Sequence, residues 1–407
     1  MPFGAVTIVG GSLAGLTAAQ TLRGEGFDGT ITVVEPELGD PYDRPPLSKE
    51  VLAGTWGPER VVLGAAKADL DLTWERGHHA VRLDLQDRSV QLGDGRRLPF
   101  ETLVLATGAT PRTLPGAAAL GGVHVLRTLD DCLALRADLD AEPDRVVVVG
   151  AGFIGAEVAA TCRGRGLPVT VLEAAPVPLE RVLGAAMGAV CADLHRSHDV
   201  DLRLGVGVDH LVADDGGRVR AVALADGSVV EASVVVVGIG VAPRIDWLAG
   251  SGLTIDDGVV CDEHLRAAPG IVAVGDIVRW PSRRFGRSLR LEHWEHAVQS
   301  GEAAARTLLA EGGLIDRPLE AYDPVPWFWS DQYDRKIQLA GLSGPDDRVE
   351  VVIGDTAEHR FVALYGRDDR VVAVLGMNRP RHVMQLRALV AEGASFDEGL
   401  ARARELA

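Results

Sequence analysis

Two stretches of this chain pass through apolar and polar positions in the same order. From Ala5 to Glu35, AVTIVGGSLAGLTAAQTLRGEGFDGTITVVE opens on a β-branched run, breaks at glycine, continues through an alanine-rich stretch and closes on a second β-branched run. From Arg145 to Glu173, RVVVVGAGFIGAEVAATCRGRGLPVTVLE repeats that order. Short Val, Ile and Thr runs favour strands, and alanine favours helix. Each stretch therefore predicts a strand, a tight turn, a helix, a loop and a second strand: a βαβ unit written twice.

Each unit is followed by a similar insert. Residues 75–105 alternate in short apolar runs around Gly93-Asp94-Gly95, which predicts a hairpin or meander. Residues 202–237 show the same character around Asp226-Gly227, ending in the strand Val234–Val237. From about Tyr322 the pattern changes. A Pro- and Trp-rich opening, DPVPWFWSDQYD, precedes four strand-like segments, KIQLAG, RVEVVIG, FVALYG and VVAVLGMN, and then one helix from about Pro380 to the end. The expected fold is α/β, with two Rossmann-like dinucleotide-binding domains and a C-terminal α+β domain of about 85 residues. A length of 407 residues, beyond what one core usually supports, agrees with several domains.

Composition narrows the classes. Apolar residues are 47% and charged residues 24% of the chain, an ordinary globular balance. A net charge of −17 argues against nucleic-acid binding and against adhesion to an anionic membrane. Cys132, Cys162, Cys191 and Cys261 are far apart, with no C-x-x-C or metal spacing, and read as buried thiols in a reducing compartment. The apolar start MPFGAVTIVGG has no basic region and meets glycine at once, so it reads as a first strand rather than a signal peptide. No stretch approaches the roughly 20 apolar residues of a membrane span. These readings predict a soluble cytoplasmic protein without a metal site.

The glycines carry the first chemical signal. A Gly-rich turn lets backbone approach a pyrophosphate, which then sits on the positive end of the following helix, and an acid closing the next strand bonds a ribose hydroxyl. In the second unit these are Gly150, Gly152 and Gly155, with Phe153 and Ile154 between them and Glu173 closing. In the first they are Gly10 and Gly15, with Leu13 and Ala14 between, Glu35 closing, and Ser12 in the middle position. Serine is the smallest departure that still permits close approach. One such turn by itself also fits plain helix packing; two copies, each closed by Glu, favour two dinucleotide sites. Glu173 accepts from a ribose 2′-hydroxyl and repels a 2′-phosphate, and Ala174-Ala175-Pro176 offers no adjacent Arg, so the second site favours NADH.

Two further signatures assign the sites. LVLATGA, Leu103–Ala109, contains Ala106, Thr107 and Gly108, and GIVAVGDIVRW ends its strand at Gly275-Asp276. Both resemble flavoprotein reductases that bind FAD in the first unit, with the aspartate reaching the ribityl chain and pyrophosphate. More specific are Arg44-Pro45-Pro46-Leu47-Ser48-Lys49 and, much later, Trp327-Phe328-Trp329-Ser330-Asp331-Gln332. On these residues, and along nearly its full length, the chain resembles the oxygenase-coupled NADH–ferredoxin reductases that serve bacterial cytochromes P450 and aromatic-ring dioxygenases. They share the glutathione-reductase-like fold of two dinucleotide domains. The resemblance implies an FAD-binding domain of residues 1–110 and 236–320, an NADH-binding domain of 111–235 and a C-terminal domain of 321–407.

It also implies roles. Hydride passes from the nicotinamide to flavin N5, Lys49 stands near that atom paired with Glu157, and Trp329 covers the flavin and NADH. Arg44, Val81, Arg127 and Trp294 match FAD-contacting positions, and Arg181, Gly238, Ile239 and Gly240 match NADH-contacting ones. Each has a plainer reading: a solvated lysine for Lys49, a helix-face acid for Glu157, core packing for Trp329, Val81 and Trp294, and surface charges for Arg44 and Arg127. No cysteine precedes Cys132, which excludes disulfide-reductase chemistry in the loop around residues 40–50.

The expected acceptor is a 2Fe–2S ferredoxin, acting in turn on a cytochrome P450 or ring-hydroxylating dioxygenase; the FWSDQYD stretch favours the former. Such ferredoxins are acidic, so an acidic reductase needs a local basic face. Arg279, Arg283, Arg284, Arg287 and Arg290 give five arginines without an acid in twelve residues, and Arg379 and Arg381 extend them. The alternative is a loop that balances local acids. Two other functional readings fit the same residues: a rubredoxin reductase or diaphorase, and a redox-sensing flavoprotein resembling apoptosis-inducing factor, in which NADH changes assembly and turnover is slow.

Overall fold

The computed structural model describes residues 3–64 and 69–406. Seven α-helices occur among them: α1 (Leu13–Gly24), α2 (Leu129–Asp140), α3 (Phe153–Gly164), α4 (Glu180–Ser197), α5 (Trp294–Glu311), α6 (Pro380–Glu392) and α7 (Phe396–Leu406). The chain packs as two compact units. One comprises Met1–Asp43, Val61–Thr110 and Ala242–Pro324; the other comprises Arg44–Arg60, Pro111–Val241 and Val325–Ala407.

The first unit is built on a six-stranded sheet in the order Arg266–Ala268, Ile271–Ala273, Thr102–Leu105, Ala5–Val9, Thr30–Glu35, Leu72–Arg76. All pairings are parallel except that of Arg266–Ala268 with Ile271–Ala273. Thr102–Leu105 is buried at every position, as a strand covered on both faces must be. The predicted meander is present as Ala80–Asp84, Ser89–Leu92 and Arg97–Pro99. Helices α1 and α5 meet through small residues: a Cβ on Gly301 would lie 2.6 Å from Ala14 O, so only glycine permits this approach.

The second unit has a five-stranded parallel sheet in the order Asp201–Leu204, Val169–Glu173, Val146–Val149, Val234–Val237, Val123–His124. Its meander is Val208–Ala213, Val219–Leu224 and Val229–Glu231. The same unit holds a five-stranded antiparallel sheet in the order Trp327–Gln332, Arg335–Gly341, Arg370–Met377, Arg360–Arg367, Arg348–Asp355. One face buries Ile337, Leu339, Phe361, Ala363 and Tyr365 against Leu183, Met187, Cys191 and Leu194 of α4. Helices α6 and α7 pack on the same sheet, which is why FVALYG is apolar at successive positions. The expected architecture of two Rossmann-like units with a C-terminal α+β portion is therefore present.

Two local expectations change. The Trp-rich opening of the tail is itself a strand, Trp327–Gln332. The single C-terminal helix is two, α6 and α7; Ala407 lies outside the described residues. Gly393, at a φ of 66°, ends α6 in the left-handed conformation that glycine adopts at low cost. Ser395 then starts α7: its hydroxyl accepts from Glu398 N–H at 3.3 Å while the Glu398 carboxylate accepts from Ser395 N–H at 2.8 Å.

Candidate functional site

In the first unit the strand Ala5–Val9 runs into Gly10, at a φ of 107°. A Cβ there would lie 2.2 Å from Ala106 O, and one on Gly15 would lie 1.9 Å from Gly10 O. Both glycines are demanded by the packing of the turn itself. Glu35, 8% exposed, closes it: Oε2 accepts from Gly11 N–H at 2.7 Å and Oε1 from Glu37 N–H at 3.0 Å. Ala106 N–H donates to Val9 O at 2.8 Å, and the next two residues are tied to Arg244, through Thr107 Oγ1 to Arg244 O at 2.6 Å and Arg244 N–H to Gly108 O at 2.8 Å. Gly275 leads Asp276 into a 3₁₀ turn, and a Cβ on Gly275 would lie 3.0 Å from the Cβ of Ala14. Gly10 to Gly15, Ala106 to Gly108 and Gly275-Asp276 thus share the carboxyl end of the sheet, at the strand where its order reverses. Open parallel sheets bind ligands at that point.

The second unit repeats the construction. Gly150 has a φ of 98° and a Cβ there would lie 2.4 Å from Gly238 O; one on Gly155 would lie 2.1 Å from Gly150 O. Glu173 Oε2 accepts from Ala151 N–H at 2.7 Å and Oε1 from Ala175 N–H at 2.8 Å. Gly152 differs. A Cβ there would meet only Gly238 O, at an ordinary contact distance of 3.9 Å, so the fold does not demand glycine at this position. Neither α1, entered from Ser12, nor α3, entered from Gly152, has a side-chain cap or an acid in its first turn. By contrast α2 is closed by a full capping box of Thr128 and Asp131. The first amides of α1 and α3 therefore lack an N-cap side chain or a first-turn acid among the described residues, and they form cradles that fit the pyrophosphate of one dinucleotide each. Gly238 forms the wall beside Gly150, Gly240 has a φ of 97°, Ile154 is 46% exposed, and Arg181 is exposed in the first turn of α4.

The two hexapeptides singled out in the sequence meet at one carboxylate. Glu157 on α3 is 3% exposed. Its Oε2 accepts from Lys49 Nζ at 2.7 Å and from Ser48 Oγ at 2.5 Å, and its Oε1 accepts from Ser330 Oγ at 2.7 Å. Lys49 Nζ also donates to Pro45 O at 3.0 Å, and Thr161 Oγ1, one helical turn beyond Glu157, donates to Ser48 O at 2.7 Å. Phe153, on the same face of α3 as Glu157, packs edge-on against Phe328 at 4.6 Å. Phe328 and Ser330 thus face α3. Trp329 alternates to the other side of its strand and stacks on Trp327 at 5.2 Å. Nothing in the sequence marks Ser48 or Ser330 for a role. They lie inside the two hexapeptides, but a serine's partner cannot be read from its neighbours.

The remaining residues divide between the units. Arg44 Nη1 donates to Arg127 O at 2.6 Å, and both belong with Lys49 in the second unit. Val81, 39% exposed, and Trp294, whose Nε1 donates to Asp43 Oδ1 at 2.8 Å, belong to the first. The arginine run forms part of the strands Val278–Ser282 and Arg287–Leu289, also in the first unit, and it is surrounded by acids. Arg279 pairs with Asp256 at 3.0 Å, Arg283 with Glu263, and Arg290 with Glu292 at 2.6 Å and Asp257 at 3.2 Å. The Arg284 N–H donates to Asp323 at 2.8 Å, and Arg287 is exposed. Arg379 and Arg381 belong to the second unit. All four cysteines are free and buried, and burial pushes the Cys132 thiol up to about 11. No helix among the described residues is long and apolar enough to cross a membrane.

Residues 4–301 match the family model of pyridine nucleotide-disulphide oxidoreductases, and residues 327–405 match that of the reductase C-terminal domain. The chain is 40% identical over 390 residues to rhodocoxin reductase of Rhodococcus erythropolis, covering 95% of this chain and 89% of that protein. It is 37% identical over 395 residues to the ferredoxin–NAD(+) reductase component of the anthranilate 1,2-dioxygenase system of Burkholderia cepacia, covering 96% and 95%. Putidaredoxin reductase, in the crystal structure of its covalent complex with putidaredoxin, superposes with a TM-score of 0.89 at 35% identity, over 97% of this chain and 94% of that one. With two glycine cradles, a partly buried Lys–Glu pair and a matching C-terminal sheet, this chain belongs to the pyridine nucleotide-disulphide oxidoreductase family and, within it, to the FAD- and NAD(H)-using ferredoxin reductases of oxygenase systems.

Proposed function

We propose that this protein takes electrons from NADH and passes them singly to a 2Fe–2S ferredoxin that serves a cytochrome P450 or a ring-hydroxylating dioxygenase, in the cytoplasm. The observation that carries this reading is the convergence of Ser48, Lys49 and Ser330 on Glu157, because it unites the two segments that distinguish the resemblance. FAD, when bound, supplies the chemistry, accepting two electrons as hydride and releasing them one at a time.

The residues of the chain bind, orient and set charge. Gly10, Ser12 and Gly15, with Glu35 and Asp276, hold FAD; Gly150, Gly152, Gly155 and Glu173 hold NADH. Glu173 is fixed at the edge of its turn by two backbone N–H donors, and its charge opposes a 2′-phosphate. Glu157 holds the Lys49 ammonium in a fixed place, where a preorganised cation favours the electron-rich form of the cofactor. Trp329 covers the reacting rings. Arg283, with a side chain 72% exposed, and its neighbours Arg284 and Arg287 steer the acidic ferredoxin, while the pairs made by Arg279 and Arg290 hold the basic strip in shape.

The test is cytochrome c reduction by the purified flavoprotein with NADH or NADPH, with and without a 2Fe–2S ferredoxin. The expected result is ferredoxin-dependent turnover with NADH. Charge reversal at Arg283 and Arg284 should slow it while ferricyanide reduction persists. Flavin reduction by NADH without ferredoxin-dependent turnover would transfer the function to another acceptor. A long-lived reduced flavin, slow with every acceptor, would make the protein a sensor.

A further inference from the structure

The peptide that introduces Asp276 is held at both of its neighbouring polar groups by one helix. Gly275 N–H donates to Ser300 Oγ at 2.9 Å, and Gly275 O accepts from His296 Nε2 at 3.2 Å. His296 and Ser300 are four residues apart on α5 and so project from one face. A carbonyl only accepts, so His296 carries its proton on Nε2; Nδ1 is then an acceptor, and Tyr322 Oη donates to it at 2.7 Å. Trp280 stacks on the imidazole at 4.6 Å with an interplanar angle of 16°. Trp280 and Ser300 are fully buried, His296 is 4% and Tyr322 8% exposed. Burial also pulls the His296 imidazole down to about 4, which keeps it neutral at neutral pH.

From this geometry we infer that Tyr322, His296 and Ser300 are positioning residues for FAD, a relay from the tail of the first unit that sets the peptide plane entering Asp276. The inference rests on the reading above in which Asp276 holds FAD. It assigns work to three side chains that lie outside the glycine turns. Without the Tyr322 hydroxyl the imidazole loses the partner that selects its tautomer, and the alternative tautomer would turn a lone pair toward Gly275 O. A left-handed residue such as Gly275, at a φ of 67°, depends on its neighbours to stay in that conformation.

The experiment measures FAD affinity of the apoprotein by quenching of flavin fluorescence, with apoprotein melting temperature as the control for folding. Tyr322→Phe and His296→Ala should each weaken FAD binding about ten-fold, the loss expected for one directed hydrogen bond. His296→Gln, whose amide offers one donor and one acceptor in similar places, should restore most of it, and NADH affinity should not change. Unaltered FAD affinity in both Tyr322→Phe and His296→Ala overturns the inference. So does weakening that Gln does not rescue and that follows a matching fall in melting temperature. Should His296→Ala fail to fold, Tyr322→Phe and His296→Gln decide the matter alone, and unaltered affinity in Tyr322→Phe overturns it. If Asp276→Asn binds FAD as well as the unsubstituted apoprotein, the reading of Asp276 fails first, whatever the relay variants do.

Discussion

The glycine turns of the two units are alike where the backbone folds on itself and unlike where they face something else. Gly10 and Gly150, Gly15 and Gly155, and Glu35 and Glu173 make the same contacts at nearly the same distances in both. Three of the positions that differ are informative. Gly11 lies under Trp74, whose ring would stand 2.6 Å from a Cβ, whereas Ala151 occupies the corresponding place in the second turn. Ser12 stands where the second turn has Gly152, whose added Cβ would meet Gly238 O only at 3.9 Å. Thr17, on the α1 face that meets Gly301, stands where α3 carries Glu157. The shared positions are therefore set by the fold, and the differing ones by a packing partner, a ligand or a charge.

Alanine substitution at the glycines should separate these cases, with the largest effects first. Gly15→Ala and Gly155→Ala put a Cβ about 2 Å from a carbonyl oxygen of the same turn, which the backbone cannot avoid, and each should cost about 3 kcal/mol or more. Gly152→Ala meets only Gly238 O, at an ordinary contact distance of 3.9 Å, so unfolding in urea should change by less than about 0.5 kcal/mol while NADH binds about ten-fold more weakly. Equal stability losses at 152 and 155 would break the distinction.

Glu157 and Thr17 offer the next contrast. Glu157→Ala leaves the Lys49 ammonium, with its side chain 13% exposed, and two serine hydroxyls without their shared acceptor, and should cost about 3 kcal/mol. Thr17→Ala removes no such partner and should cost about 1 kcal/mol or less. Denaturant titration of both variants checks this; similar losses would mean that the Lys49–Glu157 pair adds nothing beyond packing.

A pH dependence, gradual rather than all at once, is shared unequally by the two units. Burial holds His293 and His296 of the first unit and His195 of the second at about 4. A neighbouring histidine lowers His195 and His296 further, while Asp276 opposes the shift at His293 and His296. The unfolded chain binds these protons near pH 6.5 and the folded protein near pH 4, so this stability is complete above about pH 6.5 and is lost as pH falls toward 4. Each histidine should contribute a slope of up to about 1.4 kcal/mol per pH unit in that window. His195→Gln should remove one such slope from the urea-midpoint profile; an unchanged profile would count against the depressed value.

The βαβ copies were legible because their signals are local: glycine is forced by backbone within the turn, and β-branched runs declare the strands on either side. The end of α6 is equally local, through Gly393 and the Ser395–Glu398 capping box, although the sequence reads there as one continuous helix. The arginine run shows the opposite case. Within its own twelve residues it is unopposed, yet apart from Glu292, two residues beyond Arg290, the carboxylates that pair with it come from Asp256, Asp257 and Glu263 upstream and, for the Arg284 amide, from Asp323 downstream. Local charge content cannot reveal a partner supplied by another strand or loop.

By itself, then, the sequence determined what depends on near neighbours along the chain: two strand–turn–helix–strand units, their glycines and closing glutamates, and the absence of a cysteine in the loop where a disulfide reductase needs one. Only the tertiary structure decided which side chains satisfy one another. Ser48 reaches Glu157 across 109 residues and Ser330 across 173, and His296 reaches Tyr322 across 26. A buried polar group must find a partner or lose its hydration without compensation, and which partner it finds is set by packing in three dimensions rather than by order along the chain.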